Sequence, residues 1–194
     1  LVASLLTSSL WGQIVPAGVT GTGDYNNSAS LLIDGVTPPQ NTSWQADTNV
    51  WWNYFDTSFT IDLGASFLLT DIAWSVDNND AYALAWSTNG TTFANLFTIT
   101  PDDGEVPVTP GGMDTMNSFG GDPDYVAAMD FGPVAARYLR IEAVSGGDGL
   151  NAIGEVTAYG RALPIAVPEP STYGLLGALA LAGLVFWQRR QRNA

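Results

Sequence analysis

The chain has 194 residues, with 19 acidic side chains against six basic ones, a formal net charge of -13, and no Cys and no His. That length can enclose one hydrophobic core of ordinary size, and the missing cysteines exclude disulfides, thiolate metal sites and thiol nucleophiles. The charge repels phosphate backbones, which argues against nucleic acid as a partner, and it makes cations the natural ones, although the same charge also serves plain solubility.

Residues 1–13 open on Leu-Val-Ala-Ser-Leu-Leu-Thr-Ser-Ser-Leu-Trp, which reads either as the latter half of a signal-peptide apolar region or as a first strand. Residues 14–162 carry strand after strand between Gly, Asn, Asp and Pro clusters, with no helical period. Phe59, Ile61 and Leu63 alternate with Thr60 and Asp62, and Ile72, Trp74 and Val76 alternate with Ala73 and Ser75. Tyr82, Leu84 and Trp86 continue the pattern, as do Leu139, Ile141 and Ala143, so each segment offers one apolar face. Two sheets packed face to face bury such rows. Thr88-Asn89-Gly90 supplies the positive φ of a tight turn between two strands. Residues 101–124, dense in Gly, Pro and Asp, are expected to form one large surface loop.

The composition changes after Ala162. Residues 163–172 form a Pro-rich linker, and residues 173–194 join an apolar block to three arginines. A helix over 173–187 would be about 22 Å long at about 1.5 Å per residue, a marginal span for a hydrocarbon core of about 30 Å. The arginines would stay cytoplasmic and leave the strand-rich body outside.

In this tail, Val167-Pro168-Glu169-Pro170-Ser171, an apolar segment and then Arg189-Arg190-Gln191-Arg192 follow in order. The arrangement resembles the PEP-CTERM sorting signal of Gram-negative bacteria. The resemblance implies export, a transient hold on the inner membrane, processing by an exosortase, and delivery to the envelope or to an extracellular matrix rich in exopolysaccharide.

The body resembles the discoidin, or coagulation factor 5/8 type C, family of galactose-binding-like jelly rolls. The likeness rests on Leu32-Ile33-Asp34-Gly35, Thr42-Ser43-Trp44, Phe59 to Gly64, Ala136 to Ile141 and Ile153-Gly154-Glu155-Val156. It implies an all-β, eight-stranded β-sandwich. It also implies a structural Ca2+ held by Asp34, Thr42 and Glu155 with backbone carbonyls, although Pro38 and Pro39 lengthen the loop before Thr42.

Two stretches suit a glycan. Trp44, Trp51, Trp52 and Tyr54, with Phe55, concentrate aromatic area that can stack on sugar faces, whereas core packing is the competing reading. Trp51 and Trp52 must point opposite ways in an extended segment, so only one of them can face a ligand. Asp77, Asn78, Asn79 and Asp80 offer oxygens and amides for hydroxyl groups or a second cation, or form a plain turn. An EF-hand is excluded, because Gly is missing at the sixth position and Glu at the twelfth. All six basic residues are Arg, so without His, Cys or Lys no Ser-His-Asp triad, Schiff base or Walker lysine can form. Asp102, Asp103, Glu105, Asp122 and Asp124 leave a glycosidase or lyase as the lesser reading. The sequence therefore predicts a non-catalytic exported protein that binds exopolysaccharide or cell-surface glycan, with a purely structural matrix component as the alternative.

Overall fold

The computed structural model describes residues 12–109, 111–146 and 148–164, together with Leu179, Gln188, Arg190 and Gln191. The chain divides into two compact units, Leu1–Leu163 and Pro164–Ala194. Among its described residues the first unit has nine strands: β1 (Gly12–Gln13), β2 (Gly18–Thr22), β3 (Val50–Asn53), β4 (Ser58–Asp77), β5 (Asp80–Ser87), β6 (Ala94–Ile99), β7 (Met113–Asn117), β8 (Val134–Gly146) and β9 (Leu150–Ala162). Helical structure here is limited to three short 3-10 turns, Ala29–Ile33, Pro101–Asp103 and Ala127–Met129. The all-β expectation holds. The first eleven residues, and the helix expected over 173–187 except at Leu179, lie outside the described residues.

All named strand pairs are antiparallel, and β4 organises them. Its first part, Ser58–Asp62, pairs with β2 and β8, and its last part, Ala73–Asp77, pairs with β7 and largely with β9. Between them Phe67–Leu69 pairs with β8 on one side and β9 on the other. The register shift between Asp62 and Phe67 falls at Gly64, whose φ of +82° favours a residue without Cβ. The strand thus passes from one layer, with β2, β8, β5 and β6, into the other, with β9, β1, β3 and β7.

The apolar rows meet between these layers. Phe59, Ile61, Leu63, Ile72, Trp74, Val76, Tyr82, Leu84, Leu139, Ile141 and Ala143 are all buried. Edge-to-face ring contacts link Trp74 of β4 to Tyr82 of β5 and Phe97 of β6, and link Trp52 of β3 to Phe59 and Tyr82. Asn89-Gly90 turns β5 into β6 with Gly90 at φ +73° and Asn89 Oδ1 accepting from Thr91 and Thr92.

Two expectations change. Residues 101–124 are not one surface loop: Met113–Asn117 is a nearly buried strand on the edge of β4. Its Met-Asp-Thr-Met-Asn sequence lacks a clean two-residue alternation, and only the partner strand makes it β-structure. With the two-residue β1, this gives nine strands where the resemblance implied eight.

Close backbone packing within one layer yields a first prediction. A Cβ on Gly160 would lie 2.3 Å from Leu68 O, whereas one on Gly12, its partner in β1, would meet nothing within 4 Å. Gly160→Ala should therefore cost roughly 1–3 kcal/mol in urea unfolding, and Gly12→Ala should leave the midpoint nearly unchanged.

Candidate functional site

Three connections that carry the chain from one layer to the other meet at one end of the sandwich. They are residues 54–57 between β3 and β4, Asn78-Asn79 between β4 and β5, and Asp148-Gly149 before β9. Tyr54 N–H donates to Gly149 O (2.7 Å), and Asn151 Nδ2 donates to Tyr54 O (2.6 Å). Asn79 Nδ2 donates to Asp148 Oδ2 (3.2 Å), whose other oxygen accepts from Leu150 N–H (3.0 Å). The three corners are therefore bonded to one another.

Tyr54 is the prominent residue of this end. Its φ is +65°, rare for a bulky side chain, and its ring is 73 % exposed beside Phe55 at 44 %. The two hydrogen bonds on its amide and carbonyl hold that conformation, which places an aromatic face in solvent.

The other aromatic candidates divide. Trp44 and Trp51 are half-buried and form an edge-to-face pair, with ring centroids 5.4 Å apart. Asn49 holds the Trp44 backbone in place, its Nδ2 donating to Ser43 O and Trp44 O. Trp52 is corrected: it is fully buried against Phe59 and Tyr82, because the inward face of β3 falls on it and the outward face on Trp51.

The corner Asp77, Asn78, Asn79 and Asp80 is corrected as well. Asp77 and Asp80 are fully buried and Asn78 is 2 % exposed, so only Asn79 reaches the surface. The reason is tertiary. Gly104, Val106 and Gly112 close over Asp77 and Asn78, with Gly112 N–H donating to Asp77 Oδ1 (3.1 Å) and Asn78 Nδ2 donating to Val106 O. On the other side the Asp80 carboxyl lies directly over Gly146, where any Cβ would overlap it. Burial, then the Asp148 charge, pushes the Asp77 carboxyl up to about 6, against the pull of Gly112 N–H. Burial, then Asp77 and Asp148, pushes Asp80 to about 7. The Tyr82 hydroxyl, which accepts from Ala152 N–H (3.0 Å), is also pushed up, by burial and then by Asp80 and Asp77.

A second locus joins Asp34 to Glu155. Asp34 ends the first 3-10 turn and accepts from Val36 N–H (2.9 Å), so it does cap a turn. Glu155 is 3 % exposed, accepts from Gly35 N–H (3.1 Å), and faces the Asp34 carboxyl. Burial, and less strongly Asp34, raises Glu155 to about 7 against the pull of Gly35 N–H. Thr42 is not brought to this pair by any hydrogen bond: its hydroxyl donates to Pro39 O and its carbonyl accepts from Met113 N–H (2.9 Å), which ties it to the segment over Asp77. Among the described residues no three acidic side chains converge as a metal cage.

Asp148, Gly146 and Asn151 were missed in the sequence reading. The only signal was Ser145-Gly146-Gly147-Asp148-Gly149, a glycine density that marks close backbone approach as readily as a turn.

This architecture is an all-β jelly-roll sandwich with the galactose-binding-like fold. The body is similar in fold to truncated AlyQ with CBM32 and alginate lyase domains (TM-score 0.52, 16 % identity, covering 80 % of this chain and 35 % of that one). It is also similar to a fucolectin from the serum of Morone saxatilis, the striped bass (0.53, 16 %, 77 % and 48 %). A third likeness is to a family 89 glycoside hydrolase from Clostridium perfringens (0.50, 20 %, 81 % and 15 %). The chain spans less than half the length of each of these proteins. Residues 166–190 match the PEP-CTERM protein-sorting motif, which implies an exported protein processed at the membrane. Val167, Pro168, Glu169, Pro170, Arg189 and Arg190 lie inside the match, and Arg192 lies just beyond it. No curated protein matches the sequence.

The buried carboxyls set a pH dependence. Asp77, Asp80 and Glu155 bind protons more tightly folded than unfolded, so the metal-free protein loses stability as pH rises from the ordinary carboxylate range through about 7. Asp62, held down first by Arg137, acts oppositely but only below the ordinary carboxylate range. In chelator, the urea midpoint should be higher at about pH 5 than at about pH 8, and Glu155→Gln should narrow the difference.

Proposed function

We propose that the protein is an exported, non-catalytic carbohydrate-binding module whose corner-bearing end takes exopolysaccharide or cell-surface glycan. The observation that carries this reading is Tyr54, a large aromatic side chain held in a left-handed backbone conformation and 73 % exposed. Strained backbone concentrates at ligand sites, and an exposed ring beside fixed polar groups is the composition that stacks on a sugar and orients its hydroxyls. Asn79 and Asp148 supply those groups, and Phe55 extends the apolar surface. The outward pair Trp44 and Trp51 belongs to the same reading as a second stacking surface on β3.

Burial supports the non-catalytic part. Groups with raised pKa values often mark catalysis, yet Asp77, Asp80 and Glu155 are at most 3 % exposed and offer a substrate no approach.

Asp34 and Glu155 fit a structural Ca2+. Two carboxyls face each other with one N–H donor apiece, Val36 on Asp34 and Gly35 on Glu155, while Arg137 is taken by Asp62 (3.1 Å) and Arg140 by Glu142 (3.9 Å). A hard cation bound there would supply the missing positive charge. Thr42 is left out of this set. The tail completes the reading: an exosortase processes it at the inner membrane of a Gram-negative cell, and the body passes to the envelope or matrix.

The test is binding of the full chain to purified exopolysaccharide and to a glycan array. Saturable binding is expected, and Tyr54→Ala should weaken it at least tenfold, roughly 1.4 kcal/mol, with no change in Tm. Wild-type protein that shows no saturable binding would instead indicate a structural matrix component and overturn the proposal.

A further inference from the structure

The corner at Asp77–Asp80 is rich in buried oxygen and poor in donors. Asp77 Oδ2, Asn79 Oδ1 and both carboxyl oxygens of Asp80 are buried without a hydrogen-bond partner. Buried polar atoms are normally satisfied, and a buried charge without a counter-charge is costlier than any unpaired amide. Here two fully buried acids lie in sequence contact, with Asp148 acting on both. The donors present go elsewhere. Gly112 N–H serves the other oxygen of Asp77, Asn79 Nδ2 turns to Asp148, and Asn78 Nδ2 turns to Val106 O. Asp80 receives none, although Gly146 leaves its carboxyl the room that a Cβ would fill.

A hydroxyl-bearing ligand cannot reach these atoms, and a basic side chain from the core does not. A small, hard, positively charged ion answers both the geometry and the charge, because such ions take carboxylate and carboxamide oxygens together. We propose that the Asp77–Asp80 corner is a divalent-cation site separate from Asp34 and Glu155, with Asp77, Asp80 and the Asn79 carboxamide oxygen as protein ligands and Ca2+ as the fitting ion. An ion there would fix the β4–β5 corner, from which Asn79 holds Asp148 of the β8–β9 corner, where Gly149 holds Tyr54. The raised proton affinity of both acids in the metal-free state agrees with a missing counter-charge. This inference stands whether or not the end binds a glycan.

The test is calorimetric titration of the chelator-stripped full chain with CaCl2 at about pH 8, where carboxyls of pKa near 7 are largely ionised, together with Tm in Ca2+ and in chelator. The Glu155→Gln chain, whose corner is intact, should still bind one Ca2+ and gain Tm from it. Asp80→Asn should lose that binding at least tenfold, and in chelator it should melt above the wild type, because it removes a buried unpaired charge. Asp77→Asn gives the same reading should Asp80→Asn fail to fold. Glu155→Gln that binds no Ca2+, or Asp80→Asn and Asp77→Asn that bind as the wild type does, would overturn the site.

Discussion

Because β4 runs for twenty residues through both layers, every other described strand of the body is placed by its relation to it, directly or through at most two neighbours. A strand can change layers only if its ladder slips and its backbone turns, and the chain does both between Asp62 and Phe67, at Gly64. From that bend onward Ile72, Trp74 and Val76 face the rows of β5 and β6, and the core closes across the gap. The end of β4 then becomes the corner at Asp77. The same strand that builds the core therefore delivers Asp77 into the junction between the layers, where Asp80 opens β5.

Charge is the second theme. An acidic exterior keeps an exported protein soluble among polysaccharides and divalent ions. Acids in the interior are another matter, since each must find a donor, a proton or a cation. The half-exposed Asp62 has Arg137, with two hydrogen bonds of 3.1 Å, and the buried Asp114 has the amides of Glu105 and Val106 and the Gln40 carboxamide. Glu155 has one amide and a long contact from the Thr157 hydroxyl (3.5 Å), and Asp80 has no hydrogen-bond partner. The acids thus run from fully satisfied to unsatisfied, and the proposed cation sites fall at the unsatisfied end.

The surface proposed to face a glycan is built on top of this arrangement. Tyr54 keeps its unusual backbone because Gly149 and Asn151 bind it from the β8–β9 side, and that side is tied in turn to Asn79. An ion beneath the corners would stiffen the platform without touching the sugar.

Much of this was legible in the residues themselves. Alternation at Phe59–Leu63, Ile72–Val76 and Tyr82–Leu84 marks strands because side chains on a pleated backbone change face at every residue. Asn89-Gly90 marks its turn through the φ angles that only a few residues tolerate. The tail motif is contiguous and is read without any fold. Burial of the acids was not legible, and neither was the strand at Met113–Asn117. Asp77-Asn78-Asn79-Asp80 has the composition of any exposed turn, and it becomes interior only because Gly104, Val106, Gly112 and Gly146 close over it. Trp51 and Trp52 were known to oppose each other, but which one looked inward depended on Phe59 and Tyr82. The sequence by itself determined the local backbone and the sorting tail, since both depend on neighbours along the chain. Tertiary structure alone decided which polar groups lose water, because desolvation depends on atoms that arrive from strands dozens of residues away.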